Sequence, residues 1–179
     1  MLVLNKFIFL FLGLLFLYIF SQILIQKTVQ NKEIVEINNQ EVARVLRVID
    51  GDTIEVLINN KEDTVRLIGI DSPETLDSRK PVQCFGKEAS NKAKEMLSGK
   101  TIRLEPDTTQ SNRDKYGRLL RYVFLNNLNF NKFMISEGFV HEYTYQNNPY
   151  KHMEEFKNAE RIAREEKKGL WKENVCKTP

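Results

Sequence analysis

The sequence predicts an α+β fold in which five short β-strands close into a small barrel, three α-helices accompany it, and one N-terminal hydrophobic helix precedes it. Three observations carry this. Three β-rich runs follow one another between residues 41 and 70, separated by tight-turn dipeptides. A helical repeat then intervenes before two further strand-like runs, and two helical segments close the chain. The strand–helix–strand alternation of a parallel sheet is absent.

The elements follow in order. From Phe7 to Ile25 only Ser21 and Gln22 are clearly polar, and a helix of about nineteen residues spans about 28 Å, close to the hydrocarbon core of a bilayer. Lys6 precedes it, which favours a cytoplasmic N-terminus with the remainder exported. Residues 1–26 therefore read as an uncleaved signal anchor, which would leave the protein extracytoplasmic and held at the membrane. A cleaved signal peptide, which would leave it secreted, is the competing reading, although no A-x-A site follows. Residues 27–40 are mostly polar and read as a tether, residues 41–172 as the folded domain and residues 173–179 as a tail.

The first strand begins near Glu41, with Val42, Ala43, Val45, Leu46, Val48 and Ile49, and stops at Asp50-Gly51. Thr53 to Ile58 resumes a strand in which Ile54, Val56 and Ile58 alternate with Thr53, Glu55 and Leu57. Asn59-Asn60 is a second tight-turn signal, and Thr64 to Ile70 gives a third strand closed by Asp71-Ser72-Pro73. Phe85, Ala89, Ala93, Met96 and Leu97 then share one helical face, with Gly99 as a stop. Strands return at Thr101 to Glu105 and at Arg118 to Leu125. A short helix covers Asn131 to Glu137, and the last opens at Asn148-Pro149, buries Met153, Phe156, Ala159 and Ala163, and stops at Gly169. Five strands with a helix between the third and fourth suit a closed Greek-key barrel of the OB type.

A chain of 179 residues is one domain's worth of sequence. The 41% hydrophobic and 28% charged residues exclude collagen-like, low-complexity and wholly disordered classes, and a negative mean hydropathy excludes a multipass membrane protein. Net charge is +3. Such near balance gives no bulk attraction for nucleic acid, so any phosphate recognition must be local.

Hard oxygen donors dominate the candidate metal positions. Asp50, Asp52 and Asp71 lie at the ends of neighbouring strands, where two carboxylates, a carbonyl and waters would suit Ca²⁺ or Mg²⁺. The same residues also serve as ordinary turn formers, and spacing alone leaves both readings open. The two His and two Cys are too dispersed for a zinc site. Arg66 interrupts an otherwise apolar strand, so its guanidinium needs an acidic partner, a phosphate-like ligand or a solvent-facing position. In a regular strand residues 66 and 71 face opposite sides, so a shared site requires a bulge at Gly69 or a strand that ends before Asp71.

Val-Ile-Asp-Gly-Asp-Thr-Ile at 48–54, Val-Arg-Leu-Ile-Gly-Ile-Asp-Ser-Pro-Glu-Thr at 65–75, Asp-Lys-Tyr-Gly-Arg at 114–118 and Gly-Leu-Trp at 169–171 together resemble the staphylococcal nuclease (thermonuclease) family. The likeness covers roughly residues 41–172. It implies a calcium-dependent nuclease that hydrolyses phosphodiester bonds of DNA and RNA with water as nucleophile, breaking P–O5′ and leaving 3′-phosphates. It further implies that Asp52, Asp71 and the Ser72 carbonyl bind Ca²⁺, with Asp50 a nearby acid, and that Glu74 holds or deprotonates the water. Arg66 and Arg118 would grip the scissile phosphate, while Lys115, Tyr116, Tyr143 and Tyr145 would contact the nucleotide of a single-stranded or locally unpaired substrate. The protein is expected to be a monomer. The alternative function is a non-catalytic OB module that binds single strands or a protein partner. In an exported domain, a Cys84–Cys176 disulfide would tie the tail to the barrel, the alternative being two free thiols.

Overall fold

The computed structural model describes residues 13, 15–30, 41–74 and 83–176. It divides at Gln40/Glu41 into two units. In the first, residues 15–30 are helical and exposed throughout.

The expected membrane-crossing helix is corrected. Residues 7–12 and 14 of that span lie outside the described residues, and among the described residues no helix is long and apolar enough to cross a membrane. The described helix rises only about 24 Å. Its last turns carry Gln26, Lys27, Thr28 and Gln30, including residues expected in the tether, so the apolar part of the described helix is shorter still than a bilayer requires. The signal anchor, the membrane as partner and the location argued from them are withdrawn with it. Residues 31–40 of the tether lie outside the described residues.

The second unit contains a five-stranded barrel. Strands β1 (Glu41–Val48), β2 (Thr53–Ile58) and β3 (Lys61–Leu67) form a meander, β4 is the two-residue Ile70–Asp71, and β5 (Thr101–Glu105) and β6 (Leu119–Leu125) follow helix α1 (Gly86–Leu97). The order β3-β2-β1-β5-β6 closes because β3 also pairs with β6 in parallel, Val65 opposite Leu119 and Leu67 opposite Arg121. Alternation points Val45, Ile54, Val56, Val65, Leu67, Leu104 and Tyr122 inward, and all are buried. Asn59 and Asn60 both take positive φ (49° and 61°), which lets the β2–β3 turn match the strand twist. That turn also lets the ladder begin at Ile58 opposite Lys61, three residues earlier than the apolar run suggests.

β3 stops at Leu67, and Ile68-Gly69 form a turn before β4. Gly69 has φ +76°, and a Cβ there would stand 2.6 Å from the Tyr150 ring and 2.9 Å from that of Phe156. Asn131, fully buried, fixes the same turn from below. Its Oδ1 accepts from Val123 N–H (2.9 Å) and its Nδ2 donates to Ile68 O (2.9 Å). The chain then enters β4, which pairs with β8 (His141–Glu142), setting Asp71 opposite His141. A further short strand, β7 (Leu128–Asn129), pairs with the end of β6.

Two further helices pack on this frame. α2 (Phe130–Ser136) starts at Asn129, whose side chain accepts the Lys132 N–H. α3 runs Met153–Glu165 and buries Phe156, Ala159 and Ala163. Its expected start at Asn148-Pro149 is corrected to Met153, with His152 as N-cap. Tyr150 leaves the helical path to fill the space over Gly69, and its hydroxyl donates to Glu142 Oε1 (2.9 Å). Beyond α3, Leu170 N–H donates to Gly138 O (2.8 Å), and Arg164 lies 3.8 Å over the Trp171 ring. Cys84 and Cys176 form a disulfide across a separation of 92 residues.

Candidate functional site

The turn between β1 and β2 meets the segment that follows β3. Thr53 lies opposite Arg66, and Leu67 N–H donates to Asp52 O (2.9 Å), so the ladder itself sets Asp52 beside Arg66. Asp52 is buried, and its Oδ2 accepts the Ser72 N–H at 2.6 Å. That close approach needs glycine at 51, where a Cβ would sit 2.4 Å from Ser72 Oγ. The Asp-Gly-Asp turn is thus a fitted contact, beyond its value as a turn.

Arg66 collects both carboxylates. Its Nε stands 3.3 Å from Asp52 Oδ1 and its Nη2 3.1 Å from Asp71 Oδ1. Nη1 donates to Leu67 O (2.8 Å) and Ile70 O (2.7 Å), so the guanidinium plane is held by main chain as well as by acids. The side chain is only 14% exposed. The parity problem at residues 66 and 71 is solved by the break at Ile68-Gly69, which ends β3 before Asp71.

These acids repel one another. Burial first, then the Asp52 charge, push the Asp50 carboxyl up to about 7, while the Asp52 N–H donated to Asp50 Oδ1 (2.9 Å) and the Arg66 charge pull the other way. Burial also raises the Asp71 carboxyl; Arg66 and His141 oppose the rise, and Asp52 and Glu74 add to it. Asp71's side chain is half exposed, yet loss of water is the largest cause of the upward direction, and the charges around it act in both senses.

A cleft of about 690 Å³ opens beside this cluster, lined by Arg66, Asp71, Lys115, Tyr116, Arg118, Tyr143 and Tyr145 among others. Asp50, Asp52, Ser72 and Glu74 do not line it. Tyr116 is 72% exposed, with Lys115 Nζ 5.0 Å and the Arg118 guanidinium 5.4 Å from its ring centre. Tyr143 and Tyr145 are half exposed, their rings 6.4 Å apart. A wall of cations and flat rings that also includes Asp71 can hold a phosphodiester together with unstacked bases.

Several residues that the sequence reading passed over shape the site. Asp114 Oδ2 accepts from Arg118 Nε (2.7 Å), and its Oδ1 accepts the N–H groups of Tyr116 (2.9 Å) and Arg118 (3.0 Å). Burial raises the Asp114 carboxyl, but the Arg118 bond and the two N–H groups outweigh this and hold it below the usual range. An acid four residues before an arginine in a turn was the available signal. Arg113 pairs with Asp63 through two bonds (2.9 and 2.6 Å) and lines the cleft. Gln83 brackets Glu74: its Oε1 accepts the Glu74 N–H and its own N–H donates to Glu74 O, each at 2.9 Å. No local pattern announces that pairing.

The metal donors brought together are carboxylate oxygens, those of Asp52 and Asp71 on one guanidinium; the Ser72 group that meets Asp52 is its N–H. Such donors, with an adjacent carboxyl held up by burial and like charge, fit a hard divalent cation. Among the described residues no three of His, Cys, Asp or Glu gather closely enough to hold a metal ion by themselves, so the fit depends on main-chain oxygen and water completing the shell.

Comparison with known proteins adds independent findings. A family model described as staphylococcal nuclease homologue matches residues 64–173. The chain is 41% identical over 133 residues to a thermonuclease of Staphylococcus hyicus, covering 74% of this chain and 77% of that protein. It is 40% identical over 129 residues to the SPbeta prophage-derived endonuclease YokF of Bacillus subtilis, covering 72% of this chain and 43% of the relative. Endonuclease YncB of Bacillus subtilis is 39% identical over 126 residues, with 70% and 59% covered. The match thus spans less than two thirds of both Bacillus relatives.

Proposed function

Because the chain belongs to the staphylococcal nuclease family, whose likeness supports a nuclease-type hydrolase activity, we propose that it is a calcium-dependent nuclease acting on DNA and RNA. Water attacks phosphorus, the P–O5′ bond breaks and a 3′-phosphate remains. The observation that carries this reading is the convergence of Asp52 and Asp71 on the Arg66 guanidinium beside a cleft that also holds Arg118.

Asp52, Asp71 and the Ser72 carbonyl would hold Ca²⁺, with Asp50 as an adjoining acid. Held by these residues, the ion would supply charge neutralisation for the phosphate and would help to orient water. Arg66 and Arg118 bind the non-bridging oxygens and meet the extra negative charge that develops in the transition state. Glu74 orients the water and accepts its proton as the oxygen bonds to phosphorus; the P–O5′ bond breaks, the departing 5′ oxygen takes a proton from solvent water and leaves as an alcohol, and Glu74 returns its own proton to solvent. Lys115 contacts a neighbouring phosphate, and Tyr116, Tyr143 and Tyr145 stack on unpaired bases without reading sequence. The unit acts as a monomer.

Digestion of single-stranded DNA by the purified full chain, with CaCl₂ and then with excess chelator, tests this. Turnover that requires calcium supports the reading. Stable binding without turnover assigns the chain instead to the non-catalytic modules. Calcium should also raise the unfolding temperature, by a stabilisation of about 2.7 kcal/mol at a hundredfold excess over Kd. Asp52→Asn and Asp71→Asn should each abolish most of that rise.

A further inference from the structure

We infer that Gln83 is a positioning residue for Glu74, and that the Cys84–Cys176 disulfide holds Gln83 in place by fastening the C-terminal segment to the same stretch of chain. The inference rests on the reading of Glu74 as the group that handles water.

Three observations support it. Gln83 grips both main-chain groups of Glu74, through its side-chain oxygen on one side and its N–H on the other, each at 2.9 Å. Two bonds to one residue fix its main-chain orientation, whereas a single bond leaves a hinge. The next residue, Cys84, is covalently joined to Cys176, which lies beyond the anchored Leu170 and Trp171. The residue after that, Phe85, sits in the left-handed region with φ 69°, an uncommon conformation for a bulky side chain. A backbone of that kind persists only where its surroundings over-determine it. Here the restraints are the disulfide on one side and the packing of the Phe85 ring on Phe139, at 5.8 Å, on the other. The segment Gln83–Phe85 is therefore clamped from the C-terminal tail and from the turn after α2, and it transmits that clamp to Glu74. A carboxylate that must meet a water aligned with phosphorus loses rate steeply with small displacement.

The experiment measures kcat and KM of the full chain on single-stranded DNA, together with thermal unfolding. Compared are the wild-type protein, Gln83→Met, Gln83→Glu, Cys176→Ser, and the first of these combined with Glu74→Gln. A further arm uses wild type treated with a dithiol, which passes two electrons to the disulfide, leaves thiols at Cys84 and Cys176, and is itself oxidised to a cyclic disulfide. Gln83→Met should lower kcat by about 10- to 100-fold with KM unchanged. Gln83→Glu, which keeps an acceptor for the Glu74 N–H, should restore most of it. Cys176→Ser and reduction should lower kcat in the same sense. Combined with Glu74→Gln, the Gln83→Met change should cost nothing more, because there is no carboxylate left to position.

Full kcat in a folded Gln83→Met protein overturns the inference, as does an equal loss in the Glu74→Gln background. Should Gln83→Met fail to fold, Gln83→Glu and the reduced wild type decide: unchanged kcat on reduction overturns the tail's part. If Glu74→Gln alone keeps full activity, the reading of Glu74 fails, and that result is distinct from failure of the clamp.

Discussion

Asp107 shows how much one side chain can concentrate. It is buried, and its two oxygens accept from Tyr122 Oη (2.6 Å), Lys151 N–H (2.8 Å), Thr109 N–H (2.8 Å) and Thr109 Oγ1 (2.7 Å). Burial alone would raise its carboxyl; the bonds from Tyr122, Lys151 and Thr109 outweigh that and hold it below the ordinary value. A carboxyl lowered in the folded state stabilises fully above the unfolded value, about 3.9, and ceases to do so as pH falls through the folded one. Asp107→Asn should therefore cost about 2–3 kcal/mol at neutral pH. It should also flatten the loss of unfolding temperature on the acid side, which calorimetry across pH 2–7 would register.

Asp114 plays a comparable part for Arg118. If Arg118 grips phosphate as proposed, Asp114→Asn should free the guanidinium and lower kcat/KM by about 10-fold, with Arg118→Ala losing about 10²- to 10³-fold. Arg118→Lys should not rescue, because an ammonium lacks the fork. Single-turnover digestion at saturating calcium measures all three, and undiminished activity in Arg118→Ala would remove the phosphate clamp.

At the scale of elements, the decisive feature is that β3 and β4 are two strands rather than one. A continuous strand through Asp71 would have turned the carboxylate away from Arg66. The turn at Ile68-Gly69 prevents this, pinned by Asn131 below and covered by Tyr150 above. Gly69→Ala places a Cβ 2.6 Å from the Tyr150 ring at a positive φ. The expected outcome is a destabilisation of about 2–4 kcal/mol by urea unfolding, from strain and overpacking together. A larger fall in activity than Asp107→Asn produces is expected as well, since Asp71 moves with the turn. Equal losses of activity in the two variants would show that the break is a matter of stability alone.

At the scale of the folded unit, charge is distributed to little net effect. Exposed pairs such as Lys132–Glu155 and Arg161–Glu165 contribute about 0–1 kcal/mol each, so the unfolding temperature should respond weakly to salt. Binding of nucleic acid should respond more than stability does, but with a modest slope. Arg66, Arg118 and Lys115 are the phosphate contacts proposed, and three such contacts to a single strand give a slope of log K against log salt near about −2. A slope several times steeper, measured by fluorescence titration in calcium with a slowed Glu74→Gln chain, would mean that a wider basic surface takes part. The disulfide spans 92 residues. Its reduction should cost at most about 4–5 kcal/mol of stability, read from the denaturation midpoint.

The sequence by itself determined the barrel, its meander and helix order, because alternation, turn dipeptides and helical spacing are local properties that neighbours do not overrule here. The family motifs likewise singled out the acids and arginines of the proposed site. Other features required the folded chain. The early end of β3, the late start of α3 at Met153 and the bracket of Gln83 around Glu74 each depend on a contact between residues remote in sequence or on which main-chain group is left to be paired. The apolar stretch near the N-terminus read as a membrane helix because composition counts residues, whereas the described helix extends into polar turns. Periodicity reports which way a side chain faces; only tertiary packing decides where a strand must stop so that two carboxylates can share one guanidinium.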